Sequence, residues 1–325
     1  MPISINKDSI NFGTYSISTH PDGIEINGIF KYGSYGIPPT AQGSISGYTS
    51  GGFAVPGFVN VIDKFPFASD SNATDVGDLT QARTYVAGQS SADSGYSSGG
   101  RPGPSPTDII DKFPFSADGN ATDVGNLSQG RYGPAGQASN SFGYSTGGWA
   151  PGTVNTIDKF PFSADANATD VGDLSQGRYW STGQSSDVSG YASGGGSPAV
   201  SNVIDKFPFS SDANATDVGN LTQARSSVAG QSSDISGYTS AGSAPTASNV
   251  IDKFPFASDG NATDVGDLTQ ARNFAGGQSS TASGYTSGGN PYTDIIEKFP
   301  FSSDSNAADV GDLTQARYGS AGQQV

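Results

Sequence analysis

The sequence predicts an all-β fold: a six-bladed β-propeller with a β-hairpin extension at its N-terminus. Three observations lead to this prediction. A unit of 45 to 48 residues recurs six times, no segment has the apolar spacing of a helix, and the chain ends on a segment that the first repeat lacks. A period in this range, built from short strand-like runs, is typical of propellers and solenoids.

The repeat is clearest in the phrase Ile-Asp-Lys-Phe-Pro-Phe, which occurs five times, and a sixth time with Glu in place of Asp. Successive copies are separated by 48, 47, 47, 47 and 45 residues. A Gly-Tyr segment precedes each copy, and an Asp-Val-Gly segment and an arginine follow it. The copies are residues 62–67, 110–115, 157–162, 204–209, 251–256 and 296–301.

Each unit is interpreted as four short strands, named a to d, separated by turn residues. In one unit, strand a is Ala87–Ser90 and strand b is residues 95–100. Strand c is the Ile-Asp-Lys-Phe-Pro-Phe phrase, and strand d starts at the Asp-Val-Gly segment. Glycine is too frequent for helices. Because proline cannot donate to a strand ladder, a bulge or a strand end is expected at Pro66 and its copies.

The two ends of the repeat array predict a closed ring. The array begins with strand b, at Gly47 and Tyr48, and the chain stops after a strand a, residues 321–325. Pairing these segments would complete the sixth sheet and leave only short, protected edges, whereas an open solenoid needs polar caps. We therefore predict an N-terminal β arm over residues 1–42 and a propeller, closed by the C-terminal strand, over residues 43–325.

The N-terminal arm lies outside the repeat. Residues 9–17 and 23–30 both alternate apolar and polar side chains, and His20-Pro21-Asp22-Gly23 between them is a hairpin turn signal. An isolated hairpin is marginally stable in water. The arm is therefore expected to pack on the propeller, on another copy of itself or on a larger particle, as an anchor or an oligomerisation segment.

Composition excludes several classes of function. The chain has no cysteine and a single histidine, His20, which rules out thiol chemistry, disulfides and histidine-rich metal centres. Its formal charge is −15 without a basic patch, so nucleic acid is not an expected partner. No apolar run approaches the roughly 20 residues that span a bilayer. We expect neither a membrane span nor a secretory signal peptide.

Two resemblances follow from the repeat. The Gly-Gly pairs after strand b, the aromatic strand and the strand ending in arginine resemble the kelch repeat over about residues 43–325. Valine replaces the tryptophan of kelch strand d, as at Val76, and the fifth unit has Ala241-Gly242. The phrase DKFPFASDxNATDVGDLTQAR is similar to repeats in virion structural and tail-fibre proteins of marine bacteriophages of the cyanophage type.

The second resemblance implies a virion or extracellular location, reached without a signal peptide. It also implies other virion proteins as partners of residues 1–42, and a homo-oligomer on a particle.

The repeated charged residues are expected to serve the scaffold. The Asp-Lys pair of each unit, and Arg83 with its copies, could form ion pairs between blades. The loop that carries Asp70, Asn72, Asp75 and Asp78 has two interpretations. Alternating Asp and Asn on a tight loop is suited to calcium, and the same residues also form Asx turns that satisfy nearby backbone N–H groups. No other cofactor is expected.

Differences between the repeats point to a binding surface. Strand directions alternate, so the b–c and d–a loops emerge together on one face, and these are the loops that vary. Aromatic side chains on loops of a rigid scaffold are typical of binding surfaces, for a glycan or a protein on a host. The candidate binding residues are Phe53, Phe58, Tyr85, Tyr132, Trp149, Tyr179, Trp180, Phe274, Tyr292 and Tyr318.

Three functions are compatible with this pattern. The leading hypothesis is a non-enzymatic, virion-associated display protein of the tail-fibre or capsid-fibre kind, anchored by its arm, with the variable face contacting a host surface or a neighbouring subunit. The alternative is a soluble, multivalent glycan-binding propeller. A glycosidase would need a matched pair of carboxylates in one cleft. No unit carries an obvious unique acidic pair, although Asp93, Asp187 and Asp234 stand outside the shared pattern, so we predict that the protein is not an enzyme.

Overall fold

A computed structural model describes residues 42–197 and 199–325, and, within residues 1–41, the backbone of five short strands. The chain forms two compact units, Met1–Pro38 and Pro39–Val325. Every regular element among the described residues is a β-strand. In this part of the chain there is no helix long and apolar enough to cross a membrane.

The first unit is a five-stranded antiparallel sheet whose strands follow in chain order. Its strands are β1 (Ser4–Ile5), β2 (Ser9–Asn11), β3 (Ser16–His20), β4 (Gly23–Ile26) and β5 (Ile29–Lys31). The predicted hairpin is the β3–β4 pair, with His20 opposite Gly23. Its turn residues, Pro21 and Asp22, lie outside the described residues. The extension is larger than predicted, because the two expected segments supply four strands and β1 adds a fifth.

The second unit is a six-bladed β-propeller, as predicted. Each blade is a four-stranded antiparallel sheet in the order a-b-c-d, and the a strands of adjacent blades lie side by side around a central channel. From blade 1 to blade 6, the a strands are Ala321–Gln324, Ala87–Ser90, Ala135–Ala138, Thr182–Ser185, Ala229–Ser232 and Gly276–Ser279. The b strands are Ser46–Ser50, Ser94–Ser98, Phe142–Thr146, Ser189–Ser193, Ser236–Ser240 and Ser283–Ser287.

The outer strands carry the repeated phrases. The c strands are Val61–Pro66, Ile109–Pro114, Thr156–Pro161, Val203–Pro208, Ser248–Pro255 and Ile295–Pro300. The d strands are Thr74–Asp78, Thr122–Asn126, Thr169–Asp173, Thr216–Asn220, Thr263–Arg272 and Ala308–Asp312. Each c strand ends at its proline, which confirms the expected strand end. The bulge lies in strand d instead, where the register shifts between Asp75 and Gly77.

The C-terminal strand closes the ring, which confirms the prediction from the two ends of the array. Ala321–Gln324 pairs antiparallel with Ser46–Ser50 and places Gln323 opposite Tyr48. The Gln323 side chain also donates to the Tyr96 carbonyl oxygen of the next blade, at 3.0 Å. Its five copies, such as Gln89 on Tyr144 at 2.9 Å, make the same bond between successive blades.

The apolar core lies between blades rather than within each blade. Tyr48 and Ile62 of blade 1 pack with Phe113 and Phe115 of blade 2, and the Tyr48 ring is 5.5 and 4.9 Å from those two rings. Each of the six apolar clusters joins two blades in this way. Burying an aliphatic or aromatic side chain contributes roughly 1.5–3 kcal/mol, so burial of the core directly stabilises the ring.

Buried ion pairs also connect each blade to the next, as the sequence predicted. Arg83 Nη1 lies 3.0 Å from Asp111 Oδ2, and both side chains are fully buried. Asp111 also accepts hydrogen bonds from the Thr80 backbone N–H and hydroxyl, at 3.0 and 2.6 Å. The corresponding pairs are Arg131–Asp158, Arg178–Asp205, Arg225–Asp252, Arg272–Glu297 and Arg317–Asp63.

Candidate binding face

The loops that vary between repeats form one face of the propeller, which we call the variable face. It consists of the six b–c loops and the six d–a loops. Each d–a loop pairs through its backbone with the b–c loop of the blade that follows, as Tyr318 does with Phe53 and Tyr132 with Trp149. The variable loops therefore brace one another and form a continuous surface.

A closed ring of backbone hydrogen bonds surrounds the channel mouth on this face. The second residue after each repeat arginine donates its N–H to the carbonyl oxygen of the equivalent residue one blade earlier, at 2.7–2.8 Å. Tyr85 bonds to Gly319, and Gly319 in turn bonds to Phe274, so the circle closes. In ring order its members are Tyr85, Gly133, Trp180, Ser227, Phe274 and Gly319.

Every member of this ring has a left-handed backbone, with φ between 56° and 68°. Large aromatic residues alternate with small ones around the circle. The small residues make room for the aromatic rings: a Cβ on Gly133 would lie 2.6 Å from Trp180 Cδ1, and a Cβ on Gly319 would lie 3.0 Å from Tyr85 Cδ1. The channel mouth therefore has room for three large side chains from this ring, and not for six.

The three aromatic members meet over the channel mouth. The ring of Phe274 lies 5.1 Å from that of Tyr85 and 5.0 Å from that of Trp180, and the Tyr85 and Trp180 rings are 5.8 Å apart. Below them the channel has a volume of about 130 Å³ and is lined mainly by strand a residues. At the opposite end, the buried Gln42 side chain donates to the Ser232 carbonyl oxygen at 3.3 Å.

All ten aromatic residues selected from the sequence join one connected cluster. The other seven surround the three at the mouth: Phe53, Phe58, Tyr132, Trp149, Tyr179, Tyr292 and Tyr318, with neighbouring rings 4.4 to 6.3 Å apart. Tyr292 is the most exposed, at 43%, and the other nine are half-buried. The sequence placed these residues on one face; their mutual contact is a finding of the structure.

Burial favours the neutral form of three tyrosines of the cluster. Burial raises the pKa of Tyr85, and it also raises the pKa of Tyr132 and of Tyr318. The Arg101 guanidinium lies over the Tyr132 ring, 5.7 Å from its centroid. The phenol groups of these three residues therefore act as uncharged hydrogen-bonding groups and apolar surface.

The acidic side chains of the c–d loops form ion pairs and hydrogen bonds with other residues of the propeller. Asp70 Oδ1 pairs with Lys298 at 3.0 Å, Asn72 Oδ1 accepts the Asp312 N–H at 3.1 Å, and Asp75 Oδ1 accepts the Gly77 N–H at 3.2 Å. The Asp78 N–H donates to Asn120 Oδ1 at 3.0 Å. Among the described residues, no group of three or more acidic or histidine side chains converges as metal ligands. The calcium hypothesis stays a prediction.

The three acidic residues considered for a catalytic pair lie apart from one another. Asp93, Asp187 and Asp234 are exposed in the a–b turns of three different blades, on the face opposite the variable face. Asp93 accepts a hydrogen bond from the Ser91 hydroxyl at 2.8 Å. These residues therefore form no carboxylate pair in the cluster described above.

No protein-family model matches the chain. No curated protein matches it either.

Proposed function

We propose that this is a non-enzymatic display protein whose variable face is its contact surface for a host surface or for a neighbouring subunit. The observation that carries the proposal is the aromatic cluster, because one continuous apolar surface is built from residues that differ between otherwise near-identical repeats. Exposed clusters of this kind mark interaction sites, and aromatic residues dominate the binding energy of interfaces.

Backbone conformation supports a role for the cluster beyond folding. A left-handed backbone costs about 1–2 kcal/mol for a residue with a side chain. Gly133 and Gly319 satisfy this geometry without that cost, whereas Tyr85, Trp180 and Phe274 occupy it with bulky rings. Strained residues concentrate at functional sites, which fits three aromatic residues kept where glycine would serve the fold.

We place this protein on a virus particle, as a tail-fibre-like component attached through residues 1–42. The kelch-like repeat and its similarity to phage virion repeats support this placement, and so does the separate five-stranded sheet of the first unit. The alternative, a multivalent lectin with one sugar site per blade, would need six similar loops. The aromatic residues instead gather in one cluster, which favours a single contact surface.

The test compares three forms of the full chain: wild type, the triple variant Tyr85→Gly/Trp180→Gly/Phe274→Gly, and Phe142→Ser. Glycine already occupies two positions of the hydrogen-bonded ring, so the triple variant keeps a compatible backbone. Phe142→Ser removes an aromatic residue from strand b, outside the variable face, and serine is the residue that the other five blades carry there.

Binding to a broad glycan array and self-association, followed by light scattering, are measured on all three forms. We expect the wild type and Phe142→Ser to show at least one of these activities and the triple variant to lose it, with unchanged circular dichroism. Wild-type behaviour of the triple variant would show that the variable face is not the contact surface. Absence of both activities in the wild type would also count against the proposal.

A further inference from the structure

Charge is distributed unevenly over the propeller. Apart from the repeat arginines, which are buried in ion pairs, the variable-face loops contain three charged residues: Arg101, Asp108 and Asp294. Asp108 and Asp294 come directly before strand c. The Arg101 guanidinium lies over the Tyr132 ring, and Arg101 Nε donates a hydrogen bond to the Gly103 carbonyl oxygen at 2.7 Å. The variable face is therefore close to neutral.

The acidic charge of the protein is concentrated elsewhere. Sixteen of the thirty acidic residues lie in the six c–d segments, from the end of strand c through strand d. Six lysines, one on each strand c, pair with aspartates there, as Lys64 does with Asp118 at 3.0 Å. Six further acidic residues are buried against the repeat arginines. An anionic ligand would find acidic segments on the outer strands and, apart from Arg101 and the buried repeat arginines, no cation in the variable-face loops.

The aromatic cluster contains a continuous track of six rings in contact that crosses the channel mouth. It runs from Tyr292 in blade 6 to Trp149 in blade 3, on the opposite side of the ring. Successive rings along it are 5.2, 6.2, 5.8, 4.4 and 5.3 Å apart. Its members in order are Tyr292, Tyr318, Tyr85, Trp180, Tyr179 and Trp149. A track of six rings is longer than one sugar ring.

We propose that the variable face binds an extended, uncharged oligosaccharide along this track, with one site per propeller. This inference rests on the proposed function. A neutral sugar offers C–H faces for stacking on aromatic rings and hydroxyl groups that both donate and accept hydrogen bonds. The face supplies uncharged partners for those hydroxyls, among them the tyrosine phenols, Thr246 and Asn290.

A protein partner fits this surface less well. Protein interfaces surround an apolar centre with a polar rim, and complementary charges guide their encounter. The loops of the variable face carry hydroxyl and amide groups at that rim and almost no charge. A sialylated, sulfated or uronic-acid glycan is disfavoured for the same reason, since Arg101 is the single cation of these loops outside the buried ion pairs.

The experiment titrates the full chain with neutral gluco- and manno-oligosaccharides, from single sugars to hexamers, and with sulfated forms of the same hexamers. We expect affinity for at least one neutral series to rise about tenfold or more with chain length. We expect the sulfated hexamer to bind about tenfold more weakly, and affinity for the neutral one to change less than about twofold between low and high salt.

Variants at the two ends of the track test its extent. Trp149→Ala and Tyr292→Ala should each weaken binding of hexamers more than binding of short oligomers, whereas Phe142→Ser should bind like wild type. Tighter binding of the sulfated hexamer, strong salt dependence or equal affinity for single sugars and hexamers would overturn the inference.

The two proposals can fail separately. If no neutral glycan binds but the wild type associates through the variable face, as the triple variant reveals, the oligosaccharide inference is wrong and the proposed contact surface stands. If the triple variant matches the wild type in every assay, both are wrong.

Discussion

Arg317, in the last repeat, pairs with Asp63, in the first, with 3.1 Å between Nη2 and Oδ2 and both side chains fully buried. Asp63 also accepts hydrogen bonds from the Thr314 backbone N–H and hydroxyl, at 2.9 and 2.7 Å. The ion pair and the backbone hydrogen bond to its carboxylate recur at the other five junctions between blades, and the hydroxyl bond recurs at Asp111 and Asp252. The junction at which the two ends of the array meet is therefore built like the five internal ones.

We predict that Arg317→Ala destabilises the protein by about 3–5 kcal/mol, because it leaves the Asp63 carboxylate buried without its partner. Thermal and denaturant unfolding followed by circular dichroism measure the loss. Lys298→Ala is the matched control, since Lys298 joins the same two blades through an exposed pair with Asp70. Exposed pairs contribute about 0–1 kcal/mol, so equal effects of the two substitutions would contradict the prediction.

A second prediction concerns the glycines of the a strands. A Cβ on Gly183 would overlap the carbonyl oxygen of Gly136 in the adjacent blade, and the same overlap occurs around the whole ring. Gly183→Ala must therefore push two a strands apart, and we expect it to lower the melting temperature clearly or to prevent folding. Gly260→Ala, in a c–d loop where a Cβ would meet nothing within 4 Å, should stay within about 0.5 kcal/mol of wild type. Equal melting temperatures for Gly183→Ala and Gly260→Ala would show that adjacent a strands can accommodate a Cβ at this position.

The fold was largely predictable because the sequence features that determine it are short segments that recur in every repeat. Strand order, the strand end at Pro66 and the Arg83 ion pair each recur six times, so one repeat supports the interpretation of the others. The partners across blades were not predictable in the same way. Tyr48 packs on Phe113 and Phe115, and nothing in a single repeat says whether these rings meet within one blade or between two.

The candidate face was predictable as a set of residues but not as an assembly. Alternating strand direction places Tyr85, Trp180 and Phe274 on one face. Their contact depends on a hydrogen-bonded ring with left-handed backbone, which arises only when six blades close. The alternation of large and small residues at these positions was the available signal, since Gly133 and Gly319 stand where other repeats carry aromatic rings.

The tyrosines of strand b predict an alkaline limit of stability. Burial raises the pKa of Tyr144 from its ordinary value of 10.0 to about 12, and it raises the pKa of the five equivalent tyrosines as well. A raised folded-state pKa gives stability that is complete below the unfolded pKa and is lost as pH rises through the folded value. Stability should therefore hold up to about pH 9 and fall between about pH 10 and 12.

Unfolding at a series of pH values, with tyrosinate absorbance recorded in parallel, tests this limit. Because burial is the main cause of the raised pKa of Tyr144, the alkaline loss of stability should be smaller in Tyr144→Phe than in the wild type. Ionisation of the strand b tyrosines near pH 10 without unfolding would contradict the assignment.

The contacts of the c–d loops predict that calcium does not change the stability of the protein. Their carboxylate and amide oxygens already bind protein groups: Asp70 pairs with Lys298, and Asn72 accepts the Asp312 N–H of the preceding blade. Six to eight oxygens around one calcium ion would require several of these bonds to break. We expect excess calcium and excess chelator to give the same melting temperature, and Asn72→Ala to cost about 0.5–1.5 kcal/mol with or without the ion. A calcium-dependent rise in melting temperature that is smaller in Asp75→Asn, which alters one of the six loops, would instead establish the loop as a calcium site.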